Sequence, residues 1–537
     1  MTLIPILGLI AILVTAWLVS WNRRAVRLRP IAFGLVLQFL LSIAVLRADA
    51  WSFLGMGVLA IWIALFCLRL ELGRAELLER VLMGLGLVIG SVVLYSLPLV
   101  VASTTLFLIA AVLAADRRYW IGRPLRSWLA ATLPLLATIS VAQRGIYGLD
   151  LLELVGGRIA GFLELADYGS RFLFGNLADS SYYFPESTVW PGFGFLFAFK
   201  LLPVIVFFAA VVSVLYSLGV VQLSIESLSR FLRWSSGTSG AETLCCTANI
   251  FIGQTEAPLL IRPYLASATR SELLTVMVAG FATIAGGALA GYIALGIPAS
   301  HLVAASVMSA PAALVIAKIL LPETEHPTTA GDTRLPDVDV PSNLIEAATN
   351  GIRDGLRLAV NVGAMLIGFI SLMALVDTLL SLGDRWLDGA VLAGRYLEYG
   401  EVGFSPVRGE FAGYFPGSLR TVFGTLLRPI SWLLGVPWSE AATFGNLLGI
   451  KLSLNEFVAY GTLAAHIQDG SLSDRSIQLA AYALCGFANF SSIGMQIGGL
   501  SALVPERRRE LARFGLRAML GGALASWMTA AIAALQL

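Results

Sequence analysis

Glu256 and Glu456 each interrupt a long apolar run, and each stands among side chains that hydrogen-bond. Asn249, Gln254 and Thr255 accompany the first; Lys451 and Asn455 accompany the second. Gln254, Thr255 and Glu256 follow Gly253 and place an amide, a hydroxyl and a carboxylate on consecutive residues. An amide pairs a donor and an acceptor at once, so the set suits the edge of a nucleobase. Glu456, Asn489 and Ser492 suit a ribose, whose hydroxyls donate to carboxylate and amide oxygens. Phe487 offers a flat apolar face to sugar or base. Asn249 and Thr283 are uncharged oxygen donors near places where backbone carbonyls should be free, the ligand type by which carriers hold sodium. A structural alternative stands beside each reading. The carboxylates could be satisfied by hairpin amides, Phe487 could be helix packing, and Asn249 and Thr283 could bond between helices. Glu242 lies at the start of its run and reads as a helix cap.

The elements that must hold these residues are set by composition. The chain has 537 residues, 57% hydrophobic and 13% charged, with a mean hydropathy of +0.82. A soluble fold could not hide that much apolar surface, whereas a bilayer solvates it, so the class is a membrane protein in contact with lipid. The net charge of +2 implies no acidic partner, and no basic stripe for nucleic acid is present. Cys67, Cys245, Cys246 and Cys485 form no CxxC pair, which gives neither a disulfide framework nor a metal site. The N-terminal apolar run is longer than a signal-peptide core and reads as a retained span.

Six spans are predicted first: Leu3 to Val19, Ile31 to Leu46, Phe53 to Leu68, Val81 to Leu97, Leu99 to Ala115 and Trp128 to Val141. Arg23, Arg24, Arg27 and Arg29, then Arg69, Arg74 and Arg80, then Arg117, Arg118, Arg123 and Arg126 fall on one side, which the positive-inside rule makes cytoplasmic. Both termini are then outside. An interfacial helix is expected between Gly145 and Trp190, a span from Phe193 to Leu218, and a second interfacial helix at Arg230 and Arg233. From Gly237 to Leu265 polar residues interrupt the apolar run, and a lipid-facing helix would not carry them. Polar or irregular backbone at membrane depth survives only inside protein or beside water, so a re-entrant hairpin is predicted. Leu273 to Leu295 breaks around Thr283 to Gly287; Leu302 to Leu321 follows. Pro322 to Pro341 reads as a cytoplasmic loop and Leu358 to Leu382 as an outward span.

The pattern then repeats. Gly445 to Ala465 is a second interrupted hairpin, Ala480 to Leu500 a second broken helix, and Leu520 to Leu535 a last span. Phe281-Ala282-Thr283-Ile284-Ala285-Gly286 matches Phe487-Ala488-Asn489-Phe490-Ser491-Ser492, and each follows a hairpin bearing one carboxylate. By parity the hairpins enter from opposite sides. The fold class is therefore an all-α polytopic membrane protein with an inverted repeat, two re-entrant hairpins and two broken transmembrane helices. Intramembrane carboxylates at matched places in such a repeat point to a midplane binding site.

Three runs carry a family resemblance. Gly237-Thr238-Ser239 leading to Ala248-Asn249-Ile250-Phe251-Ile252-Gly253-Gln254-Thr255-Glu256-Ala257-Pro258-Leu259 resembles the first hairpin of the concentrative nucleoside transporters. Asn455-Glu456-Phe457-Val458-Ala459-Tyr460 resembles their second hairpin, and Cys485-Gly486-Phe487-Ala488-Asn489-Phe490-Ser491-Ser492-Ile493 their seventh core helix. The likeness includes Asn22-Arg23-Arg24-Ala25 and Gln38-Phe39 and runs from about Gly169 to the C-terminus. It implies an inner-membrane homotrimer of scaffold and transport domains that takes up nucleosides with sodium. It implies that Gln254, Thr255 and Glu256 face the base, with Ala288 nearby, and that Glu456, Asn489 and Ser492 hold the ribose beside Phe487. It implies a sodium site from Asn249, the Ile252 and Ile284 carbonyls and Thr283.

Thr283 departs from the family's serine but keeps the hydroxyl, which leaves a proton-coupled relative open. Ala288 replaces a familiar valine and could relax base selectivity. The chain divides into residues 1–50 (first two spans, scaffold), 51–143 (an extra four-span insertion), and 144–236 (interfacial helices and third core span). Residues 237–321 form the first repeat, 322–357 a cytoplasmic loop and helix, 358–440 a scaffold span and external segment, and 441–537 the second repeat. An intramembrane enzyme is the competing class. It would need an activated nucleophile or metal ligands, and His301, His326 and His466 are scattered with no HExxH or P-loop.

Overall fold

The computed structural model describes residues 3–68, 77–115, 123–179, 196–329, 343–398 and 405–537. Arg69, Arg74, Arg117, Arg118, Trp190, Phe193 and most of the loop from Pro322 to Pro341 lie outside the described residues. The chain is a polytopic helical membrane protein. Among the described residues, eight helices are long and apolar enough to cross a bilayer, and three shorter apolar helices accompany them.

The N-terminal half comprises α1 (Leu3–Leu18), α2 (Leu28–Leu46), α3 (Ala50–Leu68), α4 (Leu77–Ser96), α5 (Leu99–Ala115) and α6 (Arg123–Gln143). Their apolar side chains face outward as well as inward, as expected where lipid is the solvent. Two amphipathic helices, α7 (Gly148–Leu163) and α8 (Ala166–Phe174), occupy the segment expected to hold one interfacial helix. Next come α9 (Phe197–Ser217) and the amphipathic α10 (Val220–Ser236). α3 is fastened on both sides. Trp62 packs edge-on to Phe33 of α2 and Phe231 of α10, and Phe66 reaches Phe231 and Trp234.

The first repeat contains α11 (Gly240–Ala248), an irregular turn, a 3-10 turn over Ala257–Ile261 and the single turn α12 (Arg262–Leu265). It continues with α13 (Arg270–Ala282), α14 (Gly286–Ala294) and α15 (Ala299–Leu320). The second contains α18 (Ala441–Ser453), α19 (Glu456–Gln468), α20 (Asp474–Ala483), α21 (Phe490–Leu503) and α22 (Arg508–Ala534). Each is a helix–turn–helix, a helix broken near its middle, and one long buried helix. The breaks fall where sequence placed them, at Thr283–Ala285 and just before Asn489. They also touch. Gly486 has φ +107°, and a side chain there would begin 2.5 Å from the Phe281 carbonyl oxygen. Only glycine tolerates both the left-handed backbone and that approach.

Between the repeats lies α16 (Leu344–Asp384), 41 residues long and capped by the Asn343 side chain. At 1.5 Å per residue it extends about 60 Å, twice the hydrocarbon thickness. The span expected from Leu358 is thus the later part of a longer helix. Gly351 and Gly355 let α16 lie close on Ala209 and Val206 of α9. A π-helical turn (Arg385–Val391) and a two-stranded hairpin, β1 (Tyr396–Glu398) with β2 (Gly409–Phe411), lead to α17 (Leu419–Leu433). Three buried acids of α16 and the π turn fasten this strap: Asp377 accepts the Leu419 amide at 2.8 Å, Asp384 that of Phe411 at 3.0 Å and Asp388 that of Phe415 at 2.7 Å.

Candidate functional site

Broken helices expose backbone groups that must find partners away from water. Asn455 caps α19 by accepting the Val458 amide at 2.9 Å, and Asn489 caps α21 by accepting the Ser492 amide at 2.8 Å. The far side of the second break is closed by Lys451. Its fully buried ammonium donates to the carbonyls of Ala483 (3.0 Å) and Cys485 (3.1 Å) at the end of α20. A cation at a helix C-terminus also meets the favourable end of its dipole. Lys451 therefore belongs to the scaffolding of the break.

Asn489 is committed on both ends of its amide. Its oxygen accepts from the Ser492 amide and from Ser491 Oγ, each at 2.8 Å. Its Nδ2 donates to Glu456 Oε2 at 3.0 Å. Two of the three residues expected to hold a ribose, Glu456 and Asn489, are thus in direct contact. The other oxygen of Glu456 accepts from the buried phenol of Tyr292 at 3.0 Å. Two charge-assisted bonds fix the carboxylate plane and leave lone pairs on both oxygens for a ligand. Ser492, one turn into α21, is fully buried and its hydroxyl has no partner. Phe487 is half-buried in the break just ahead of Asn489.

Gln254 is buried and its Oε1 has no partner. Thr255 and Glu256 are exposed, and Glu256 Oε2 turns back to accept the Gly253 amide at 2.9 Å. One oxygen of Glu256 therefore serves its own turn, as the structural alternative required. α21 links this turn to the carboxylate site. Gln496, one turn beyond Ser492, donates to the Met277 carbonyl at 3.0 Å and abuts Gly280 together with the Cβ of Gln254. Gly499 lies over the methyl of Thr255. Asn489, Ser492, Gln496 and Gly499 thus form one wall touching both candidate sets. Ala288 is buried on α14 one turn before Tyr292, hence on the same face.

Asn249 donates its Nδ2 to the Cys245 carbonyl at 3.0 Å, while its buried Oδ1 has no partner. Thr283 donates to the Ala279 carbonyl at 2.8 Å and keeps its oxygen lone pairs. The turn after Asn249 meets the first break: a side chain on Gly286 would begin 3.1 Å from the Phe251 carbonyl oxygen, and one on Gly253 would begin 3.5 Å from Ala285 Cβ. Ile252 and Ile284 lie in these two apposed stretches. Uncharged oxygens without a protein donor fit a monovalent cation. Glu242 caps α11 through the Ser239 amide (2.9 Å) and also meets Lys318 at 2.6 Å.

Sequence reasoning missed Tyr292, Gln496 and the Lys318 pairing. The signal for Gln496 was its helical spacing from Ser492. Tyr292 carried a weaker one, a phenol in a glycine-rich broken helix.

Apolar helices, two matched broken elements and a buried polar seam between them define a membrane carrier. The comparisons with known proteins give its kind. Residues 7–52 match the model for the N-terminus of Na+ dependent nucleoside transporters, 198–299 that for nucleoside recognition, and 301–534 that for the C-terminus of the same transporters. The nucleoside permease NupC of Helicobacter pylori is 40% identical over 390 residues, 71% of this chain and 85% of that one. The mouse sodium/nucleoside cotransporter 1 is 40% identical over 401 residues, 72% of this chain and 56% of the relative. CNTnw in an inward-facing substrate-bound state aligns with a TM-score of 0.69 at 31% identity, covering 100% of this chain and 98% of that one. The chain belongs to the concentrative nucleoside transporter family, a family of transporters and not of enzymes.

Proposed function

We propose that this protein is a secondary active symporter that takes up nucleosides across the inner membrane, driven by a sodium gradient. The observation that carries the reading is the Glu456–Asn489 contact, because it gathers ribose-type hydrogen-bonding groups from hairpin and broken helix into one place. Glu456, Asn489 and Ser492 take the sugar beside Phe487. Gln254, Thr255 and Glu256 take the base, with Ala288 alongside. Sodium, as co-transported cargo, takes the free oxygen of Asn249, the Thr283 hydroxyl and the carbonyls of Ile252 and Ile284. The hairpins re-enter the membrane from opposite faces, both termini lie outside, and the working assembly is a homotrimer. Residues 51–143 add scaffold.

The test is reconstitution in liposomes with a nucleoside panel, first with sodium replaced by choline at fixed pH, then with a pH gradient at fixed sodium. Saturable uptake that collapses in choline supports the symporter. Uptake indifferent to sodium and driven by the pH gradient replaces the coupling ion with a proton. Turnover of nucleoside without any gradient sinks the carrier reading.

A further inference from the structure

α14 lies between the two halves of the candidate site. It follows the first break, and its first residue, Gly286, sits against the Phe251 carbonyl. Near its other end Tyr292 donates to Glu456 Oε1 at 3.0 Å. The ring of Tyr292 is held against Phe457 and Tyr460, with centroids 5.0 and 4.4 Å away. A helix of nine residues is a strut of roughly 13 Å. A shift at its start is delivered to its end, because close-packed side chains leave no slack to absorb it. Glu456 Oε2 is held independently, by Asn489 from the other broken helix.

Resting on the reading that sodium binds at the first break and ribose at Glu456, we propose that Tyr292 is the positioning residue that couples the two. An ion drawing the Thr283–Ala285 break against the turn after Asn249 fixes the start of α14. The phenol at its end then holds Glu456 Oε1 in the orientation that presents the remaining lone pairs to the sugar. When the break is unrestrained, the phenol moves with the strut and the carboxylate loses one of its two anchors. Coupling is reciprocal, so nucleoside bound at Glu456 tightens the sodium site by the same factor.

The experiment uses the purified full-length protein and measures nucleoside Kd across a sodium series, with choline holding ionic strength constant. Tyr292→Phe keeps the ring and removes the donor. Its Kd at saturating sodium is expected to weaken by about tenfold, the value of one charge-assisted hydrogen bond. Its sodium dependence is expected to flatten as well. Asn489→Ala removes the other anchor, from an element outside the strut, and is expected to weaken binding while keeping the parent's sodium dependence. Gly291→Ala leaves the phenol in place but sets a methyl 2.9 Å from the Phe457 ring, displacing the same end of α14. It too should flatten the response, and it decides the matter if Tyr292→Phe fails to assemble. A Tyr292→Phe protein with the parent's full sodium dependence overturns the proposal. A parent protein whose own affinity ignores sodium overturns the sodium reading beneath it, and that result is visible before any substitution is made.

Discussion

Glu456→Gln preserves the shape of the side chain and removes one charge and one acceptor. The structure sets what the new amide meets. Its oxygen can still accept from Tyr292 at 3.0 Å. Its NH2 group then faces Asn489 Nδ2, itself a donor, across 3.0 Å. Asn489 cannot turn its amide over, because its oxygen already caps α21 and accepts from Ser491. That orientation opposes two donors, whereas the flipped amide accepts from Asn489 and donates to the Tyr292 oxygen. In both, the sugar hydroxyls lose a charged acceptor. Hydrogen bonds to charged groups contribute about 1.5–3 kcal/mol, which corresponds to roughly tenfold to 150-fold in affinity. Uptake at nucleoside concentrations well below saturation should fall by that factor, with assembly retained. The assay is initial-rate uptake in proteoliposomes, paired with direct binding by titration calorimetry. Unchanged uptake at low substrate would refute the role of Glu456, and with it the reasoning from the Asn489 contact.

Gln254→Ala should change the ranking among uridine, cytidine, adenosine and guanosine more than the sodium response; equal weakening of all four would make Gln254 structural. Thr283→Val removes one oxygen at nearly constant volume and should raise the sodium needed for half-maximal uptake, so an unaltered sodium curve would remove Thr283 from the ion site. Lys318→Met strands Glu242, which it meets at 2.6 Å in a place where both are almost fully buried. Breaking such a pair costs about 3–5 kcal/mol, read as a lower unfolding temperature in detergent, and adding Glu242→Gln should recover part of it. A Lys318→Met protein as stable as its parent would show the pair to be dispensable.

The spans and both breaks were legible because each rests on local pattern. An apolar run of bilayer length needs no partner to be recognised, and a polar interruption within one is conspicuous wherever the chain folds. Glu456 and Asn489 could be named as a pair because the repeat placed them. Tyr292 could not, since a tyrosine in an apolar helix looks like packing, and its partner lies 164 positions away. Lys451 was visible as an intruding cation, but the carbonyls it satisfies belong to the end of another helix. The early part of α16 was expected as a separate helix within 322–357, and its continuity with the span from Leu358 was obscured by Arg353, Asp354 and Arg357, which are exposed on the helix surface. The strap after α16 was hidden for a different reason. Asp377, Asp384 and Asp388 answer to backbone amides whose positions exist only once the strap has folded.

Within the two hairpins and the broken helices that follow them, some buried polar groups are paired inside the protein and others are not. A break at membrane depth is tolerable only if its freed groups are paired. Here the helix-end carbonyls of α20 have Lys451 and Ser526, the latter at 2.5 Å from the Cys485 carbonyl oxygen. The starts of α19 and α21 have Asn455 and Asn489. Glu242 has Lys318. Within Gly237–Ala294 and Ala441–Leu503, the buried side-chain oxygens then left without a partner are Ser239 Oγ at the cap of α11 and, along the seam, Asn249 Oδ1, Gln254 Oε1, Ser492 Oγ and Gln496 Oε1. An unpaired buried polar atom costs about 1–3 kcal/mol, so each of these four oxygens along the seam calls for a donor or a cation. On the proposed function, a ligand rich in N–H and O–H groups, together with a cation for Asn249, supplies those partners. The proposed site thus draws its selectivity from the same atoms, because a solute lacking those donors leaves them unpaired.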